Sequence, residues 1–297
     1  MFMIKLISKF ALTLALSQRE RGLDRGSTQS DSGLKAPSPL RAEGWGEGAL
    51  SFLFVLLLSL SSNSLAASLP DTIAKVKPSI VGVGTYLPTR QPRSQLQGTG
   101  FVVGDGYHIV TNAHVVAGEV DTLNKERRVI YVGTGKNPQV RDVRILKRDD
   151  VHDIAILRIT GQRLPAMKLS EDDYVREGES VAFTGFPIGA VLGLYPATHR
   201  GIISSITPVA TPAFFSGSLD PAMIRRLKNP YMVYQLDATA YPGNSGSPLY
   251  LSYSGEVVGI INKVFVKEGK EAAIKAPSGI TYAIPARHIK KLLNTEK

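Results

Sequence analysis

Ser245 stands in AYPGNSGSPL (240–249), between Asn244 and Gly246 and two residues after Gly243. A serine set among glycines has two explanations. The glycines shape a tight turn, or they cradle an exposed nucleophile. A serine hydroxyl is a weak nucleophile until a base takes its proton, and the base needs an orienting carboxylate. The histidines are 108, 114, 152, 199 and 288. His114, in VTNAHVVA, ends an apolar strand, where small Ala113 leaves its ring room. Asp153 opens DIAILRI, a strand that reads as buried. A carboxylate there needs a partner, and an imidazole N–H is a natural one. Each of these residues alone also fits a structural reason: a histidine beside a strand, an aspartate in a turn, a glycine-shaped corner. Together they run His, Asp, Ser along a chain of many short strands, one of the orders in which a catalytic triad occurs.

The elements that must position them are strands. Short apolar runs broken by Gly, Pro, Asn and Asp fall at 79–87, 98–103, 108–116, 127–133, 140–148, 153–159, 180–186, 201–207, 231–237, 247–253, 256–266 and 279–284. This spacing predicts an all-β barrel or sandwich. Gly104-Asp105-Gly106 joins two of the strands as a hairpin. Two helices are expected. One runs from Pro70-Asp71 to Lys77. In the other, Pro285 opens a tail helix whose Ile289, Leu292 and Leu293 share a face. The stretch 207–230 has no clear strand, and long loops in compact domains are usually functional or mobile.

Composition narrows the classes. The 297 residues include no Cys, which excludes a disulfide framework, a thiolate zinc site and a cysteine nucleophile. His108, His114 and His152 lack metal-ligand spacing, so neither a metal nor another cofactor is expected. Net charge is +10, and the residues after 67 hold 28 basic against 20 acidic side chains. Such a balance suits an anionic envelope surface or a solvated basic face. The clusters Arg225-Arg226-Leu227-Lys228 and Lys290-Lys291 lack interleaved aromatics, so nucleic acid is not expected as a partner.

The front of the chain reads as an export leader. ALSFLFVLLLSL (49–60) is too short for a comfortable membrane span, and Ser64-Leu65-Ala66 fits a small-x-small cleavage site. Residues 1–67 are therefore expected to be a leader, and the mature protein to be periplasmic or secreted. An uncleaved anchor is the alternative. Residues 17–48 are polar and without periodicity, and read as a disordered insertion into that leader or as the product of a misassigned start codon.

TNAHVV, DIAIL and GNSGSPL closely resemble the motifs of trypsin-like serine proteases of the bacterial HtrA (Deg) type. QGTGFVV, GFPIG, GIISS and YAIP extend the resemblance over roughly residues 70–294. It implies two six-stranded antiparallel β-barrels of the chymotrypsin kind with the active site between them. The barrels would span about 75–165 and 175–285, with a C-terminal helix over about 286–294. It also implies roles. Ser245 would attack the scissile carbonyl, His114 would move the proton, and Asp153 would fix the imidazole tautomer. Backbone N–H groups of Gly243 and Ser245 would hold the oxyanion, with Asn244 shaping the turn. The activity implied is exported serine endopeptidase, with protein or peptide substrates. A catalytically silent binding or scaffold protein of the envelope is the alternative.

The chain departs from the family pattern in places. Ser247 replaces a second glycine, as in glutamyl endopeptidases, but VVGIINKV has Ile261 and Asn262 where those place a histidine. Thr239 stands where trypsins carry a pocket aspartate. A pocket for small or medium apolar side chains, lined by Thr239, Asn262 and Val264, is expected. Asn244 replaces the aspartate that pairs with a new N-terminus in digestive zymogens, so that activation device is not expected. The 52 residues after Ser245 are expected to complete the barrel, so no PDZ domain is expected among them. Residues 207–230 are expected to cover the cleft, form an oligomer contact, or be a surface insertion.

Overall fold

The computed structural model describes residues 68–135, 137–187, 193–209, 229–262 and 279–295. The expected leader, residues 210–228 of the expected cover, and Lys263 and Val264 lie outside the described residues.

The described chain opens with helix α1 (Leu69–Val76) and a 3-10 turn (Lys77–Ser79). Six strands follow: β1 (Ile80–Tyr86), β2 (Ser94–Val103), β3 (His108–Thr111), β4 (Arg127–Val132), β5 (Gln139–Asp149) and β6 (Ile154–Ile159). They close as β1-β2-β3-β6-β5-β4. Strands β7 (Ser180–Gly185), β8 (Ala197–Pro208), β9 (Met232–Asp237), β10 (Pro248–Leu251), β11 (Val257–Ile261) and β12 (Ile280–Pro285) close as β10-β11-β12-β9-β8-β7. Helix α2 (Ala286–Asn294) ends the described chain. The two closed six-stranded antiparallel barrels and the C-terminal helix match the expected fold class.

The apolar runs have a simple cause. Strand side chains alternate between faces, and here both faces are dry. On β1, Val81 and Val83 fill the first barrel while Ile80 joins the core between the barrels. On β6, Ala155 and Leu157 face inward, whereas Ile154 and Ile156 join that shared core. The second barrel contributes Tyr250, Ile260 and Ile284 to the shared core, and α2 contributes Ile289. One apolar layer therefore fixes the two barrels against each other and sets the cleft between them.

A β-bulge also serves the site. Val83 pairs with Gly98 but Gly84 pairs with Leu96, leaving Gln97 as the extra residue on β2. Bulges re-aim the strand that carries them. Here the bulge stands directly before Gly98 and Thr99, which face the second barrel.

Helix α2 docks through a cluster of rings. His288 stacks on His152 with centroids 4.1 Å apart, and Tyr231 lies 5.3 Å from His288. His152 Nδ1 is 2.6 Å from Asp149 Oδ2. Burial, reinforced by His152 and Arg287, pushes His288 down to about 4 from its ordinary 6.5. Burial alone would raise Asp149, but hydrogen bonds from His152 outweigh it and hold the carboxyl at about 2. The signs agree. Between pH 6.5 and about 4 the unfolded chain takes up a proton at residue 288 that the folded chain refuses, so stability falls on acidification. Asp149 adds a further loss between 3.8 and about 2. The expected result is a Tm that drops between pH 7 and pH 4.5, and drops less in His288→Phe. Equal drops in the two proteins, measured by scanning calorimetry, would remove His288 from this account.

Candidate active site

The segment TNAHVV does not run on as strand. Strand β3 ends at Thr111, and His114 begins a 3-10 turn (His114–Val116). The chain leaves the ladder because Asn112 Nδ2 and Ala113 N both donate to the Asp153 carbonyl, at 3.0 and 3.1 Å. Val115 N and Val116 N then close tight turns onto Asn112 O and Ala113 O, both at 3.2 Å. Thus the motif folds around Asp153.

Asp153 is 7% exposed and has φ +53°, a left-handed backbone one residue ahead of β6. Such a conformation costs about 1–3 kcal/mol in a non-glycine residue and persists only when its surroundings fix it. The carbonyl bonds from Asn112 and Ala113 do so. Both carboxylate oxygens then meet His114. Oδ1 accepts the His114 backbone N–H at 2.9 Å, and Oδ2 lies 2.7 Å from ring Nδ1. The carboxylate places the ring proton on Nδ1 and leaves Nε2 as acceptor. The His114 side chain is 37% exposed and that of Asp153 only 11%, so the pair opens on its histidine side.

Among the described residues, two other His–Asp pairs occur, His108–Asp105 and His152–Asp149. Both are local contacts three residues apart, whereas His114–Asp153 joins residues 39 apart. Among the described residues, no group of three or more His, Cys, Asp or Glu is gathered as a metal site.

The Ser245 turn comes to this pair from the second barrel. Gly98 lies at the junction. A Cβ there would be 2.7 Å from Val115 Cγ2 and 2.9 Å from the Ser245 carbonyl. Ser245 thereby shares one point of contact with the residue after His114. Among the described residues, Ser245 Oγ and His114 are not joined by a hydrogen bond.

The turn is held at three successive peptides, 243–244, 244–245 and 245–246. Thr99 Oγ1 donates to Gly243 O at 2.7 Å, and Asn244 N donates to Tyr241 O at 3.0 Å. Ser247 N donates to Asn244 O at 3.0 Å. Thr99 N donates to Ser245 O at 2.9 Å, and Gly246 N to Ile261 O at 3.0 Å. Among the described residues, the N–H groups of Gly243 and Ser245 meet no acceptor. Gly246 has φ +88°, and a Cβ there would lie 2.0 Å from the Thr99 carbonyl, so only glycine fits. A Cβ on Gly185 would lie 2.0 Å from Ser247 Oγ and 2.9 Å from Asn244 Oδ1. The Gly185-Phe186 corner packs that closely against the turn. Asn244 is fully buried behind it.

The expected pocket residues are placed in part. Thr239 and Asn262 are half-buried. Thr239 lies in a segment clipped by Thr281, whose Oγ1 donates to Ala238 O at 2.7 Å and accepts from Ala240 N at 3.0 Å. Asn262 follows Ile261, the residue that pairs with Gly246 and Ser247, and its N–H donates to Tyr282 O at 3.0 Å. Thr99, Asn112 and Gly185 shape the site and escape a reading of sequence. Only the runs QGTGFVV and GFPIG pointed to their neighbourhoods.

A family model described as "Trypsin-like peptidase domain" matches residues 98–260, more than half of the chain, and spans His114, Asp153 and Ser245. The chain belongs to the trypsin-like peptidase family. Its relatives within that family are of the HtrA type. It is 32% identical over 228 residues to Serine protease HTRA1A of Danio rerio, covering 75% of this chain and 40% of that protein. It is 29% identical over 188 residues to a probable periplasmic serine endoprotease DegP-like of Halomonas elongata, covering 63% of this chain and 32% of that one. The chain thus matches about two fifths or less of the length of these relatives. Among solved structures, the HtrA-type protease AlgW with tripeptide matches at TM-score 0.55 and 24% identity, covering 76% of this chain and 62% of its own. The Rv3671c protease of M. tuberculosis in its active form matches at TM-score 0.55 and 22% identity, covering 76% and 85%. These two likenesses agree with the trypsin-like fold.

Proposed function

We propose that this trypsin-like chain is an exported serine endopeptidase in which Ser245, His114 and Asp153 act together. The observation that carries the reading is the pair of hydrogen bonds joining Asp153 to His114 beside the Ser245 turn. One carboxylate oxygen fixes the backbone, the other fixes the ring, and Nε2 is left to accept a proton. In the reaction Ser245 Oγ attacks the scissile carbonyl carbon while His114 Nε2 takes the hydroxyl proton. The carbonyl oxygen becomes an oxyanion, received by the N–H groups of Gly243 and Ser245. Collapse breaks the C–N bond, and His114 returns the proton to the leaving amine. Water then repeats the sequence on the acyl-enzyme and frees Ser245. A His114–Ser245 hydrogen bond that forms only with substrate is consistent with this reading, because catalytic hydrogen bonds often tighten on substrate binding.

The uncharged Thr239 and Asn262 favour small or medium apolar side chains at the cleavage site. The relatives named periplasmic, and the apolar run 49–60, support action in the periplasm or outside the cell on unfolded or surface proteins. The net charge of +10 favours residence near an anionic envelope surface.

A fluorophosphonate probe tests the chemistry. Ser245 Oγ would form a P–O bond and fluoride would leave. Mass mapping is expected to place the adduct on Ser245 in the wild type and to find none in Ser245→Ala. Wild-type protein that stays unlabelled, with unfolded protein present, would favour the scaffold reading instead.

A further inference from the structure

Thr99 belongs to the first barrel, yet its polar groups serve the second. Its backbone N–H holds the Ser245 carbonyl at 2.9 Å, and its hydroxyl donates to the Gly243 carbonyl at 2.7 Å. The same hydroxyl accepts from Phe186 N at 3.1 Å. Its own carbonyl accepts from Thr111 Oγ1 at 2.7 Å. The side chain is fully buried, so no water competes for these bonds.

The consequence is felt at the peptide that carries the Gly243 N–H. Across the turn, the 243–244 and 245–246 peptides are each bonded at both ends, one end in each case by Thr99. The 244–245 peptide is held through Ser247 N. The 242–243 peptide is different. Among the described residues, neither the Pro242 carbonyl nor the Gly243 N–H has a hydrogen bond. Its orientation depends on Gly243, which has φ +102° and no side chain to restrain it. Two bonds on the next peptide restrain it: Asn244 N donates to Tyr241 O, closing a turn around Pro242-Gly243, and Thr99 Oγ1 holds the Gly243 carbonyl from the other barrel.

We propose that Thr99 is a positioning residue for the oxyanion hole: its hydroxyl fixes the Gly243 peptide so that the Gly243 N–H points at the reacting carbonyl. This rests on the proteolytic reading above. Donors that are fixed before reaction act without reorganising, and loss of one costs ~10²–10³ in rate. Thr99 touches no substrate. It acts through Gly243.

The test compares Thr99→Val, Thr99→Ala and Thr99→Ser in the full chain, with an internally quenched peptide cleaved by the wild type. Valine keeps the shape and removes the hydroxyl, whereas serine keeps the hydroxyl. The expected result is a kcat about 100-fold lower in Thr99→Val with KM within about twofold, and near-complete recovery in Thr99→Ser. Wild-type kcat in Thr99→Val would overturn the proposal. So would a Thr99→Ser variant as slow as Thr99→Val. If Thr99→Val and Thr99→Ala both fail to fold, Thr99 is a stability residue and the proposal falls. Wild-type protein that neither cleaves peptide nor reacts with fluorophosphonate would overturn the proteolytic reading, and this proposal with it.

Discussion

Replacing His114 by Ala is expected to lower kcat by about 10⁶, the loss seen when the base of a serine triad is removed. The size follows from the geometry. Among the described residues, the other two His–Asp pairs are engaged elsewhere, His108–Asp105 with Arg158 and His152–Asp149 against His288. Without His114 the hydroxyl must attack with its proton in place. The Gly243 and Ser245 N–H groups remain, so a residual rate of about 10³–10⁴ over water survives. The double variant with Ser245→Ala is therefore expected to be no slower than either single variant. Single-turnover kinetics on an unfolded protein substrate measure this. A His114→Ala enzyme within about 100-fold of the wild type would mean that another group takes the proton.

Asp153→Asn is expected to lower kcat by about 10⁴ while leaving the fold in place. The reason lies in the two bonds of the carboxylate. The His114 backbone N–H, 2.9 Å from Oδ1, demands an acceptor. An asparagine must turn its carbonyl oxygen to that N–H. Its NH₂ then faces ring Nδ1, where Oδ2 now sits at 2.7 Å. An NH₂ there donates to Nδ1 and drives the ring proton to Nε2. The nitrogen meant to accept the Ser245 proton would then already carry one. The defect is therefore expected to ease at high pH, where hydroxide can act as the base, whereas a defect of folding would not. Pre-steady-state rates against pH, beside a melting curve, separate the two. An Asp153→Asn enzyme at wild-type rate would show that the tautomer is not set by this contact.

The legible part of the site was the part written in local sequence. The strand runs marked most of the strands, because elements such as β1 and β6 are dry on both faces, whereas their closure into two barrels was implied by the motif resemblance. The GNSG run announced a special turn, and Gly246 at φ +88° is one. Other parts were hidden for physical reasons. The 3-10 turn at His114 exists because Asn112 and Ala113 bond to a carbonyl that lies 41 positions beyond Asn112, and no local pattern encodes that. The left-handed backbone of Asp153 is equally silent, since the same residue before the same strand would ordinarily be extended or a plain turn. The ties of Thr99 to Gly243 and Ser245 span 144 and 146 positions, and appear only when one barrel is laid on the other. Val264 and Lys263 fall outside the described residues.

The Ser245 turn leans on a residue of the other barrel, and this sets when the chain can act. Synthesis runs from the N-terminus, so His114 and Asp153 exist well before Ser245 does. A nascent chain then holds a base and a carboxylate with nothing to deprotonate. Once Ser245 has been made, its turn still lacks Thr99 until the barrels dock. On the proposed reading, hydrolytic power would arrive with the last large step of folding, and a half-made chain would be poorly equipped to cut its neighbours.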